Sequence, residues 1–300
     1  MKKVFNSKTP KIYKNKKLNT ANFGNFTHND YQVFLHFVSK IGGVDKEGKY
    51  LQPEQLKREH VLTASEFSKI SNTDIDNSYR FLSKAVEKLM KTDIKIEKPE
   101  NGSIIRINIC SQAEYVKKEG RINVEFTDRI MPYLAQVKQK FVLYNLKEIS
   151  NFGSIYTTRL YELIQEFKDT GYMIKSVEEL RESFAVDKKF KAYKDFKKYT
   201  FDHACSEINK IYQMNLGYEE IKEGRKVIAI KFVFRKTKIT KRYNQHTGVA
   251  KNVYEKPKLQ NKGKKSISDV LDGQLSFENK NTKPIQNIVS SLFSKITRKE

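Results

Sequence analysis

Twice along this chain a short helix opened by a capping signal runs, after a tight turn, into a longer helix with a single apolar stripe, and β-branched runs joined by a turn follow. In the first occurrence Thr63 and Glu66 form a T-x-x-E capping box, which starts a helix by satisfying its free N–H groups. Only Ser71 and Asn72 separate that helix from Thr73, which with Asp76 predicts a second box. Ile75, Tyr79, Leu82, Val86 and Leu89 then recur at spacings of 4, 3, 4 and 3, predicting one buried stripe. The segments DIKIEK, SIIRINICSQAEYV and RINVEFT, punctuated by Asn101-Gly102 and Glu119-Gly120, predict a hairpin or small sheet. A helix over 27–41 precedes this unit, with Thr27 as its N-cap and Tyr31, Phe34, Leu35, Val38 and Ile41 along one face.

The second occurrence has the same order. Residues 154–168 predict a packed helix, with apolar side chains at 156, 160, 163, 164 and 167. Ser176 with Glu179 opens SVEELRESF, and KAYKDFKKYTFDHACSEINKI follows as the long helix. The runs YQMNLGYEEI and VIAIKFVF, joined by the charged turn KEGRK, close the unit. Helix, capped helix, turn, long helix and hairpin is the order of a winged helix. Its duplication predicts an α+β fold of two tandem winged-helix domains, each with a helix-turn-helix and a β-hairpin wing. The boundaries predicted are a basic N-terminal arm over 1–26, a first winged helix over 27–150, a second over 151–236 and a basic tail over 237–300. Arm and tail are polar and lysine-rich, so loose packing or disorder is expected there.

Charge narrows the partner. The net charge is +23, but residues 1–20 hold seven lysines and no acids, and residues 236–300 hold fifteen Lys/Arg against five Asp/Glu. A polyanion is therefore attracted diffusely by the termini and must be recognised through local patches on the folded part. Cys110 and Cys205 are the only cysteines, the five histidines are scattered, and no paired-ligand spacing occurs, so neither a metal nor any other cofactor is expected. The basic start lacks an apolar signal segment and no run is long enough to span a bilayer, which together predict a cytoplasmic chain without membrane contact. Residues 43–50 fit G-x-x-x-x-G-K but end in Tyr50 where a phosphate loop needs Ser or Thr, and a helix precedes where a strand should. Sixteen tyrosines admit a nicking nucleophile, yet that chemistry needs a metal that no H-x-H pair would hold. No catalytic constellation emerges.

What remains are basic helix faces. On a helical wheel Tyr193, Phe196, Phe201, Ala204, Ile208 and Ile211 form a core-facing stripe, and Lys191, Lys194 and Lys198 cluster on one flank. Lys197 falls on the apolar side and must snorkel outward or mark a later helix start. This is the second helix of a helix-turn-helix, whose N-terminal residues lie nearest bases and phosphates in a major groove. In the first unit Asn77, Arg80 and Lys84, with Lys88 and Lys91, line the face opposite the stripe, suited to base edges and phosphates. Lys222, Arg225 and Lys226 occupy the hairpin tip of the second unit, where a wing meets backbone phosphates.

These residues resemble a known family. SIYTTRLYELIQEFKDTG, SVEELRESFAV, KFKAYKDFKKYTFDHACSEIN and GYEEIKEGRKVIAIKFVF look like successive blocks of the second winged helix of iteron-binding plasmid replication initiators. LTASEFSKI, the helix with Tyr79, and the run from MPYL to FVLYNL resemble their first winged helix. The resemblance implies a noncatalytic protein that binds double-stranded DNA at repeated origin sites and recruits a host replication initiator and helicase. It also implies self-dimerisation and repression of its own promoter through an inverted repeat. The family's main site-reading helix falls on Lys191, Lys194, Lys197 and Lys198, and its wing on Lys222, Arg225 and Lys226. The pattern departs at residues 199–204, where YTFDHA places His203 at the family's usual proline. In the tail, Gln274, Leu275, Ser276 and Phe277 resemble, one residue short, the peptides that dock on a bacterial sliding clamp. Residue chemistry alone leaves open a double winged-helix transcriptional repressor and, less well supported, a rolling-circle nicking enzyme.

Overall fold

The computed structural model describes residues 10–15, 17–20, 23–24, 26–41, 51–97, 101–134, 141–186, 189–212, 214–234, 239–243 and 250–254. The run 43–50 and the tail peptide Gln274–Phe277 lie outside these residues. Helix α2 (His28–Ile41) starts where Thr27 predicts it: the Asp30 amide donates to Thr27 Oγ1 at 3.3 Å, and the Thr27 amide donates to the Asp30 carboxylate at 2.8 Å. Its predicted face is buried, as are Val33 and Phe37 on its other sides. This helix is thus an interior element and not a surface one.

Strand β2 (Glu59–Thr63) leads into α3 (Ala64–Ser71), whose capping box forms as expected, with the Glu66 amide on Thr63 Oγ1 at 3.1 Å. Asn72, in the left-handed region at φ 51°, ends α3 and turns the chain toward α4 (Ile75–Lys91). Two expectations about α4 change. Its cap is Asp74, which accepts the Asn77 amide at 2.7 Å, and not Thr73. The buried stripe is Ser78, Leu82, Ala85 and Leu89, while Ile75 and Tyr79 stand in solvent. Small side chains at 78 and 85 let α4 approach α2 closely, and the Ser78 hydroxyl stays satisfied by donating to the Asp74 carbonyl at 2.8 Å. The helix is therefore rotated by roughly 50° from the orientation its largest apolar residues predict.

Hairpin β3 (Asp93–Glu97) and β4 (Ile104–Asn108) follows α4, and then β5 (Cys110–Val116) and β6 (Arg121–Phe126) form the wing. Strand β2 pairs with the other edge of β6, so the sheet order is β2-β6-β5. After α5 (Met131–Leu134), β7 (Phe141–Asn145) and α6 (Leu146–Ile149), the second unit repeats the plan with α7 (Ile155–Glu166), β8 (Tyr172–Ser176) and α8 (Val177–Ser183). Its long helix comprises α9 (Tyr193–Lys197), a π turn over Lys198–Asp202, and α10 (His203–Tyr212). Strands β9 (Gly217–Glu223) and β10 (Lys226–Val233) complete a sheet of order β8-β10-β9. The duplication thus extends to sheet topology, with the β3–β4 hairpin inserted only in the first unit. Strands β2 and β8 are not legible in the sequence because five residues with no clean alternation carry no period-2 signal.

The described part of the arm is not loose. Strand β1 (Lys11–Asn15) pairs antiparallel with β7, α1 (Lys17–Thr20) follows, and Ile12, Leu18, Phe23 and Phe26 are buried in the common core. Helix α1 packs on both α7 and α8, so the arm bridges the two units. Within the tail, β11 (Ile239–Tyr243) and β12 (Ala250–Tyr254) pair antiparallel. Among the described residues no helix is long and apolar enough to cross a membrane.

A buried polar cluster occupies the seam between the units. Glu162 of α7 accepts from Lys14 Nζ at 2.5 Å, from the Tyr31 hydroxyl at 2.7 Å and from the Tyr144 hydroxyl. Arg159, one turn earlier, donates to the Leu18, Asn19 and Ser183 carbonyls at 3.0, 2.6 and 3.0 Å and to the Tyr31 hydroxyl at 2.9 Å. Arm, first unit and second unit thus meet on two side chains of one helix.

Candidate nucleic-acid interface

The second unit's helix-turn-helix is built from a local cap and one long-range staple. The Glu179 amide donates to Ser176 Oγ at 3.0 Å and the Ser176 amide to the Glu179 carboxylate at 2.8 Å, which starts α8. From α8, Arg181 lays its guanidinium over the Phe196 ring at 4.4 Å and donates to the carbonyls of Lys189 at 3.3 Å and Lys191 at 3.2 Å. This side chain therefore holds the approach to α9, with the Lys189 and Lys191 side chains exposed. Sequence reasoning missed Arg181, since an arginine on a capped helix carries no signal of a partner ten residues away.

The predicted basic residues divide into two groups. Lys194 and Lys198 are exposed on the leading part of the helix, Lys198 over the Tyr199 ring at 5.2 Å, and Lys191 precedes the helix at its mouth. Lys197 faces the sheet: its ammonium donates to Glu220 of β9 at 2.8 Å and lies 5.3 Å from the Tyr218 ring centre. The hydrogen bond with Glu220 raises the Lys197 pKa and lowers that of Glu220, so the pair stays charged. Tyr193 donates to the same carboxylate at 3.0 Å, which ties α9 to β9. Lys197 thus resolves its awkward place on the helical wheel by pairing inward.

The π turn explains the aromatic spacing. Phe196 and Phe201 are five residues apart, which a regular α-helix would place about 140° from each other. A π turn, with i→i+5 bonding, brings such residues to one side. Both rings are fully buried with centroids 5.6 Å apart, and Phe201 also meets Tyr218 and Phe232 edge-on. The turn falls on KYTFD, and all of it but Lys198 lies in the stretch where the resemblance departs from its pattern.

At the second wing, Lys222, Arg225 and Lys226 are exposed around a tight turn in which Gly224 takes φ +57°. Lys222 also lies 3.5 Å from Glu220. In the first unit Asn77 is engaged at both ends of its amide, donating to Asp74 and accepting from Arg80, whose guanidinium sits 5.4 Å from the Phe81 ring centre. Lys84 is exposed and makes no ion pair among the described residues. The first wing's turn adds exposed Lys117 and Lys118. Solvent-facing cations thus stand on both second helices and both wings, the loci at which a winged helix meets a duplex.

Comparison with known proteins agrees with this architecture. The family described as "Initiator Replication protein, WH1" matches residues 11–165, and "Initiator Rep protein, WH2" matches residues 176–234. The first match begins at β1, in accord with an arm that is part of the fold. A "Replication initiation protein" of Escherichia coli is 25% identical over 179 residues, covering 58% of this chain and 55% of the relative. The "PI protein" of Escherichia coli is 32% identical over 146 residues, covering 43% and 48%. The chain therefore spans about half the length of these curated relatives. Among solved structures, the Pi initiator protein in complex with iteron DNA shares the fold, with a TM-score of 0.63 at 24% identity over 76% of this chain and 98% of that one. With both family matches covering most of its length and two winged helices in the matching order, the chain belongs to the initiator replication protein family.

Proposed function

We propose that this chain is a noncatalytic, sequence-specific DNA-binding initiator of plasmid replication that acts in the cytoplasm on repeated duplex sites in an origin. The observation that carries this reading is the outward set of Lys191, Lys194 and Lys198 at the leading end of the second unit's long helix, with Lys222, Arg225 and Lys226 on the adjacent wing. Asn77, Arg80 and Lys84 supply the first unit's share. Lys197 acts as a positioning residue that sets α9 against β9 through Glu220. Recruitment of a host replication initiator and helicase, self-dimerisation, repression through an inverted repeat and clamp docking through Gln274–Phe277 extend the same proposal.

Footprinting the protein on the DNA beside its gene tests the core of it. Protection of tandem direct repeats, spaced by about two helical turns, supports an initiator. Protection of a lone inverted repeat supports a repressor, and a strand-specific nick in supercoiled DNA an enzyme. On the protected duplex, Lys194→Ala with Lys198→Ala should weaken binding and flatten the salt dependence by about one unit of log–log slope for each phosphate left unneutralised. An unchanged slope measured by fluorescence anisotropy would remove these two lysines from the interface.

A further inference from the structure

Helix α4 leaves two large apolar side chains in water at the end where a recognition helix meets bases. Ile75, its first residue, is 40% exposed, and Tyr79, one turn on, is 41% exposed. They are i, i+4 neighbours and so lie side by side. Tyr79 is not loosely placed. Its ring lies against Gly120, which closes the turn of the first wing, so close that a Cβ there would collide with Cε1. Gly120 holds φ +57°, and its carbonyl receives the Ala64 amide at 2.8 Å, which fixes the wing to the start of α3. The ring therefore has one side braced by backbone and the other free.

The surroundings identify what would cover this ledge. Arg80 and Lys84 stand on the next strip of α4, and exposed Lys117 and Lys118 stand at the wing turn, which together suit a polyanion. The acids nearby are Asp74, engaged as the helix cap, Glu119, paired with Arg121 at 2.9 Å, and exposed Asp76. An unpaired carboxylate at the leading turn repels phosphates, so that turn is better suited to base edges. The apolar group that base edges offer in the major groove is the C5 methyl of thymine.

We propose that Ile75 and Tyr79 are specificity-determining residues that read thymine methyl groups in the half of the site bound by the first unit. This rests on the duplex-binding reading above.

The test uses the full chain and a duplex selected by it from a randomised library, prepared with thymine and with uracil at each thymine position in turn. Loss of one buried methyl should weaken wild-type binding about fourfold at one or two positions. Ile75→Ala should bind the thymine duplex about that much more weakly and become indifferent to uracil at one of those positions. Tyr79→Phe, which keeps the ring on Gly120, should retain the discrimination, whereas Tyr79→Ala should lose it at a neighbouring position. Thermal unfolding of each variant confirms that it is folded before affinities are compared. Wild-type indifference to every methyl, or an Ile75→Ala variant that still discriminates at all positions, overturns the proposal while leaving duplex binding intact. A changed sedimentation coefficient with unchanged DNA affinity also overturns it, in favour of a protein contact. Failure to select any duplex overturns both this proposal and the reading it rests on.

Discussion

Glu162→Gln should cost the folded protein about 3–5 kcal/mol, the loss expected when one partner of a buried ion pair is removed. The carboxylate accepts from Lys14, Tyr31 and Tyr144 and lies 3.5 Å from Arg159, and all of these side chains are buried. An amide in its place turns a donor toward donors and leaves two buried cations without their shared counter-charge. Burial alone would raise the Glu162 pKa, but Lys14 and Arg159 outweigh it and hold the carboxyl below its ordinary value, so it is ionised at neutral pH. The stability it contributes is present above the ordinary carboxylate range and is lost as pH falls through the lower folded value. Because the cluster joins arm, first unit and second unit, the variant should lower the unfolding midpoint by roughly 10 °C and expose β1 to hydrogen exchange. A midpoint within a degree or two of wild type would mean that the seam is held by apolar packing alone.

Lys14→Met should be milder, because the cluster carries two cations against one carboxylate. Burial pushes the Lys14 ammonium down to about 8 from its ordinary 10.5, against the opposing pull of Glu162. Between those values the unfolded chain binds a proton that the folded chain does not, so wild-type stability should rise with pH relative to Lys14→Met, by at most about 1.4 kcal/mol per unit. Denaturant midpoints at pH 7, 8 and 9 for both proteins check the sign. A flat difference would place the titration elsewhere.

Phe196→Ala is the second large effect, costing about 3–5 kcal/mol as a core truncation. The ring is fully buried against Phe184 and Phe201, with centroids at 6.3 and 5.6 Å, and it is the seat of the Arg181 guanidinium. Losing that seat loosens the grip of Arg181 on the Lys189 and Lys191 carbonyls, so DNA affinity should fall together with stability. Unfolding followed by circular dichroism, with anisotropy on the same samples, separates the outcomes. A variant that folds as wild type yet loses DNA would show that the inward and outward faces of the helix are reversed.

Much of the fold is legible in short-range spacing. Thr27, Thr63 and Ser176 act as the caps their sequence neighbours predict, because a cap needs only a side chain and an amide three residues on. The exposure of the candidate residues is legible to the same degree. Lys194 and Lys198 are exposed as the helical period predicts, whereas Lys197 is claimed by Glu220, a partner 23 residues away that no helical wheel displays. The orientation of α4 differs from its sequence pattern for a related reason. Periodicity weighs apolar bulk, but close helix packing favours Ser78 and Ala85 and leaves Ile75 and Tyr79 outside.

The sequence by itself determined two capped helix-turn-helix units with wings and the family they belong to, since each of those signals closes within a few residues along the chain. Only the tertiary structure decided that the arm is a strand of the fold, that Lys197 turns inward to Glu220, and that positions 14, 31, 144, 159 and 162 form one buried cluster. Those outcomes rest on interactions between segments up to nearly 150 residues apart, as in Lys14 with Glu162, where burial and charge act through space and leave no periodicity to read.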